Sequence, residues 1–211
     1  MSGSNLIRWA GLSAVVAGVL YLAQIIIRPP EDLSSVVTSS WAIAHYLLLG
    51  YFVFGLLGIS GIYARQVEEA GLLGLVGFLM FFVNLVLIAS YDFLEVFIMP
   101  VLATVAPQSI AGFLPGDSLV AALLPIFSLQ FLLYVVGGSL FGIAILRAGI
   151  LPRWAAIVFI IGSASGIAGV ISEAVGRIGA VGIGLGLAWL GYALWSERRE
   201  KASEPLPAMQ S

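Results

Sequence analysis

Continuous apolar runs of twenty residues or more recur along this chain of 211 residues, and they constrain the fold more than any other feature. Of all residues, 61% are hydrophobic and 9% charged, and the mean hydropathy is +1.10. A water-soluble domain carries roughly 25% charged residues and under about 50% apolar ones, so it has no way to cover this much apolar surface. A bilayer removes that difficulty. It then requires every backbone hydrogen bond to be made inside the chain, which leaves helices or closed barrels. Barrel strands alternate apolar and polar residues over ~10 positions. The runs here are unbroken, so the expected fold class is all-α, a polytopic bundle of transmembrane helices.

A membrane-spanning helix needs about 20 apolar residues. Six segments qualify: Ile7–Ile27, Trp41–Tyr63, Gly71–Phe97, Val120–Leu146, Arg153–Val175 and Ile178–Trp195. Pro29-Pro30 closes the first, Pro100 is expected to close the third, and Pro152 stands at the start of the fifth. Ile7–Ile27 has no A-x-A-like exit and reads as an uncleaved first helix. Residues 1–196 form the membrane domain, and residues 197–211, with Pro205 and Pro207, read as a polar, disordered tail. With six spans, Arg8, Arg65, Arg147, Arg153, Arg198, Arg199 and Lys201 fall on one side, and Arg28 and Arg177 on the other. The positive-inside rule then puts both termini in the cytoplasm. The connection from Met99 to Leu119 is expected as an outer loop, and its Ile110, Phe113 and Leu114 can rest on the membrane surface. The five tryptophans mostly sit near segment ends, as interfacial aromatics do. Gly138/Gly142, Gly162/Gly166 and Gly182/Gly186 each place small residues on one helix face, which is read as close packing inside the bundle.

The polar residues inside the spans are few, and such residues are functional candidates by default. Counting ~1.5 Å per residue from mid-span, Gln24, His45, Asp92, Glu95 and Glu173 all fall roughly 10–16 Å toward the outer side. Asn84, Tyr91, Asp92 and Glu95 share one face of the third segment. Asn84 lies near the midplane, where Gln130 of the fourth can meet it. The candidate site is therefore His45, Asn84, Asp92, Glu95, Gln130 and Glu173. Three readings apply to this layer. It is a structural network neutralised by Arg28 and Arg177, a solute or proton pathway open to the outside, or a metal or catalytic centre on His45, Asp92 and Glu95.

The residue inventory excludes much chemistry. There is no cysteine, so disulfides, thiolate metal sites and cysteine nucleophiles are absent from this chain. The one lysine, Lys201, lies in the tail, and one histidine cannot supply bis-histidine haem ligation. No Walker motif, dinucleotide fingerprint or HExxH occurs, and no basic tract points to nucleic acid. No cofactor is expected. Nor is a metal, because one histidine among carboxylates is a thin ligand set. The partners expected are the lipid bilayer and a small molecule or proton. Trp41-Ala-Ile-Ala-His45-Tyr46, the run Tyr91-Asp92-Phe93-Leu94-Glu95 ending at Pro100, and Gly149-Ile-Leu-Pro152-Arg153-Trp154 resemble uncharacterised multi-pass membrane proteins of bacteria. That resemblance implies a bacterial plasma-membrane setting and carries no activity. Function is then best read as a small carrier or accessory membrane subunit with an outward polar cavity. The alternative is a membrane-embedded enzyme using His45 with Asp92 and Glu95.

Overall fold

The computed structural model describes residues 3–108, 118–169 and 172–203, and every element among them is helical. The principal helices are α1 (Gly3–Ile27), α2 (Ser39–Arg65), α3 (Val67–Val105), α4 (residues 118–148), α5 (Arg153–Ala164) and α6 (Glu173–Ser203). Five stretches are long and apolar enough to cross a membrane: Asn5–Ile27, Ser39–Arg65, Val67–Val105, Leu123–Ala148 and Val175–Ser196. The protein is a multi-pass membrane protein by this criterion. The fifth sequence segment is built differently from the continuous helix expected over Arg153–Val175. Its helix α5 has 12 residues, about 18 Å at 1.5 Å per residue. A turn at Ser165 then leads into a second short helix, Gly166–Gly169.

Each helix packs on its chain neighbours, and α6 closes back on α1, so the helices form a ring. The contacts fix the directions. Gly11 lies against Gly191 and Gly18 against Gly184, so α1 and α6 are antiparallel. Gly58 meets Ala14, Tyr63 stacks on Phe78, Gly77 meets Phe141, and Gly162 meets Gly182, and the same alternation therefore continues round the ring. The start of α1 and the end of α6 thus share one end of the bundle, where the Arg8 guanidinium stands 5.7 Å over the Trp195 ring. The middle is filled by Ile59, Phe81, Phe141, Phe159, Ile183 and Leu187, all essentially inaccessible. Leu6, Ile26, Leu72, Leu124 and Ile178 project outward on the rim, which is the arrangement lipid permits and water does not.

Local chemistry sets the helix ends. After Pro29-Pro30, Asp32 caps the short helix Leu33–Val36 by accepting the Ser35 amide at 2.8 Å. Thr38 caps α2 by accepting the Trp41 amide at 3.3 Å. The αL residue Gly149, at φ 69°, ends α4. The third segment departs from expectation. Pro100 does not stop it, and helix continues through Met99–Val105. The reason lies one turn earlier, where Leu94–Ile98 is a π-helical turn. The wider turn shifts the hydrogen-bond register so that the proline sits at the start of a new helical stretch, where its missing N–H costs nothing. Helix thus occupies Met99–Val105, where the outer loop is expected to begin, and Ile110, Phe113 and Leu114 lie outside the described residues. In α4, Pro125 lies within Ser118–Leu132, and a second π-helical turn, Leu133–Gly137, follows. At the other end of the chain, α6 runs on to Ser203, and residues 204–211 lie outside the described residues.

Candidate functional site

The end of the ring carrying Arg28 and Arg177 holds a cavity of about 1070 Å³. Its walls come from every principal helix except α5, and Gly166, just beyond the end of α5, also lines it. The polar groups on the wall are Tyr21, Gln24, Tyr51, Tyr91 and Tyr134, the Asn84 and Gln130 amides, and the carboxylates of Asp92 and Glu95. Leu48, Phe52, Leu85, Ile88 and Phe131 supply apolar surface between them. Tyr134 on this wall has its ring 6.3 Å from that of Phe81, which in turn lies 5.4 Å from the Phe159 ring, with Phe81 and Phe159 both buried.

Asn84 and Gln130 meet as their mid-span positions suggest: the Gln130 Nε2 donates to Asn84 Oδ1 at 2.6 Å. Asp92 and Glu95, three residues apart on α3, project on one side, and α2 brings His45 to them. His45 Nε2 lies 3.5 Å from Glu95 Oε2 and 4.0 Å from Asp92 Oδ1. All three residues are buried, Asp92 completely. Neither Asp92 oxygen nor His45 Nε2 makes a hydrogen bond. Asp92 and Glu95 face the cavity, while His45 sits behind them and does not line it. The side chain of Glu173, the remaining candidate, lies outside the described residues.

The histidine is held from behind. Its Nδ1 is 2.8 Å from the Trp41 carbonyl, and a carbonyl can only accept, so Nδ1 carries a hydrogen. The Trp41 ring stacks on the imidazole at 4.2 Å, and its Nε1–H donates to the Glu95 carbonyl at 3.0 Å. Trp41 thus ties α2 to the π-helical turn that carries Glu95. This tryptophan is 2% exposed and belongs to the core, which corrects its reading as an interfacial aromatic. Its spacing four residues before His45 is the signal that could have found it, because i and i+4 share a helix face.

The expected neutralisation of the carboxylates by Arg28 takes another form. The Arg28 Nη2 donates to Glu31 Oε1 at 2.6 Å, three residues along at the cavity mouth. Proximity in sequence wins here: the chain turns at Pro29-Pro30 and brings Glu31 back to Arg28 before either group can reach the buried layer. Arg177 also lines the cavity. Sequence reasoning missed the tyrosines Tyr21, Tyr51 and Tyr134. Their spacing on separate helices carries no local pattern, and only the ring closure brings them to one wall. No protein-family model, no curated protein and no solved structure matches this chain.

Proposed function

We propose that the protein is a small carrier of the bacterial plasma membrane, with both termini cytoplasmic, that takes up a small polar solute from the outer side through the cavity between α1, α2, α3, α4 and α6. The observation that carries this reading is the cavity itself: about 1070 Å³, lined from Arg28 and Glu31 at one end to Asn84, Gln130 and Tyr134 deeper in the bundle. Pockets of roughly 300–1,000 Å³ hold small organic molecules, and their few polar groups set orientation. Here the amide pair Asn84–Gln130 and the tyrosine hydroxyls offer both donors and acceptors. A carrier must also pass its solute on toward the other side. The π-helical turns Leu94–Ile98 and Leu133–Gly137 and the break at Ser165 lie beside the cavity, where three helices can bend. The basic residues favour the Arg28 end as the outer one. The phrases around His45, Asp92 and Pro152 support a bacterial setting by resemblance.

The test is a thermal-shift screen of small polar solutes against purified protein, followed by uptake of any stabilising solute into proteoliposomes. A solute that stabilises the wild type, loses its effect in Gln130→Leu and is taken up supports the carrier. A solute that binds but is not moved rejects it. One observation favours a second reading, a membrane-embedded enzyme: His45 lies within 4.0 Å of both carboxylates that face the cavity. Conversion of a bound solute, lost in His45→Gln, identifies that case.

A further inference from the structure

We propose that His45 Nε2, Asp92 and Glu95 form a site for one divalent first-row transition-metal ion, with Zn²⁺ the best fit. One oxygen from each carboxylate and one imidazole nitrogen all lie within 4.8 Å of one another. Four-coordinate zinc with bonds of ~2.0–2.2 Å sets neighbouring donors about 3.4 Å apart. The observed separations of 3.5 and 4.0 Å from His45 Nε2 are close to that spacing. They are too long for direct charge-assisted hydrogen bonds, which run ~2.7–2.9 Å.

The orientation of the imidazole makes the same point independently. With Nδ1–H given to the Trp41 carbonyl, a neutral His45 turns the bare lone pair of Nε2 toward two carboxylates. With both carboxylates ionised, three buried groups then present only acceptors to one another. A backbone carbonyl on Nδ1 is the usual way a metal-bound histidine is fixed in tautomer and angle. The stacked Trp41 ring holds the plane, and its bond to the Glu95 carbonyl fixes the second ligand's backbone.

Charge selects the ion. A buried pair of carboxylates beside a protonated imidazole still leaves one net negative charge in an apolar bundle, whereas a divalent ion makes the cluster neutral. Magnesium and calcium favour six or more oxygens, and calcium up to eight; a nitrogen with two carboxylates suits zinc or its first-row neighbours better. Because Asp92 and Glu95 line the cavity, an ion has an entry path from it. The ligand count alone disfavours a metal. The geometry points to one, and it does so whether or not the cavity serves transport.

The test uses full-length protein purified through a histidine-free tag, stripped with chelator, desalted and titrated with Co²⁺ and then Zn²⁺. One Co²⁺ per chain is expected, with the visible bands of a low-coordinate nitrogen–oxygen site, and Zn²⁺ should displace it. Selective ¹⁵N labelling of the sole histidine should shift the Nε2 resonance on adding Zn²⁺ while Nδ1 keeps its proton. Asp92→Asn and Glu95→Gln should each weaken binding at least tenfold, and Asp32→Asn, on the surface, should leave it unchanged. If the buried variants fail to fold, the wild-type spectra decide. A Co²⁺ spectrum of the hydrated ion, or an Nε2 resonance unmoved by Zn²⁺, overturns the site, and neither result depends on transport.

Discussion

His45 owes its position to Trp41 more than to its carboxylate neighbours. The tryptophan stacks on the imidazole, presents the carbonyl that Nδ1 bonds, and reaches across to the Glu95 carbonyl on α3. Trp41→Phe keeps a ring for stacking but removes the indole donor and leaves a buried carbonyl with one partner fewer. Loss of such a bond costs about 1 kcal/mol, more where the orphaned group stays buried. A lowered melting temperature in detergent is expected. An unchanged one would mean that the bond does not hold α2 to α3. At this scale much is legible in the sequence. Helical rise alone puts His45, Asp92 and Glu95 at one depth, and the cost of burying charge argues that they face inward together. Depth counting also assigns Arg28 to that cluster, because it ignores the chain reversal at Pro29-Pro30, which delivers Glu31 first. Trp41 reads as interfacial because tryptophans near helix ends usually lie there.

The helices are where small residues decide the packing. A Cβ on Gly186 would meet the Phe159 backbone at 2.8 Å, and one on Gly182 would meet the Gly162 Cα at 3.0 Å. These contacts press α6 onto α5, so the glycine pairs work inside one chain. Gly186→Leu should lower the melting temperature strongly, since overpacking a tight contact costs ~1–3 kcal/mol or more when backbone is the obstacle. Leu185→Ala, a residue on the outer rim, is the matched control and should shift it little. An equal loss in both would place the glycine face against lipid. Helix type is readable from composition, but the irregularities are not. Leu94–Ile98 looks like ordinary apolar helix, and nothing local announces that its turn widens to admit Pro100. Pro100 therefore reads as a terminator, and α3 runs to Val105 instead. The short α5 is hidden for a similar reason: Arg153–Val175 is largely apolar, and its break at Ser165 depends on packing around Gly166, whose missing side chain leaves room for Tyr134.

Across the whole molecule, an antiparallel ring brings the start of α1 and the end of α6 to one end and the cavity to the other. Reporter fusions after Ser211 and near Gly116 should read from opposite sides of the membrane, with Ser211 in the cytoplasm. A fusion at Ser211 active outside would overturn the proposed orientation. That the chain forms an all-α bundle follows from the apolar runs alone. That the helices close in sequence order around a cavity does not, because ring closure is a long-range property of α6 returning to α1. The proposed carrier requires this cavity to be reached by solvent from the Arg28 end. The chain has no cysteine, so single introduced thiols can report on it without background. Gln130 lines the cavity, and Ile145, on the same helix, is fully buried in the core. In intact cells treated with a membrane-impermeant maleimide, the Gln130→Cys variant should be labelled from outside and the Ile145→Cys variant should stay unlabelled; a Gln130→Cys thiol protected outside yet labelled in inverted vesicles would show that the cavity is entered from the other side.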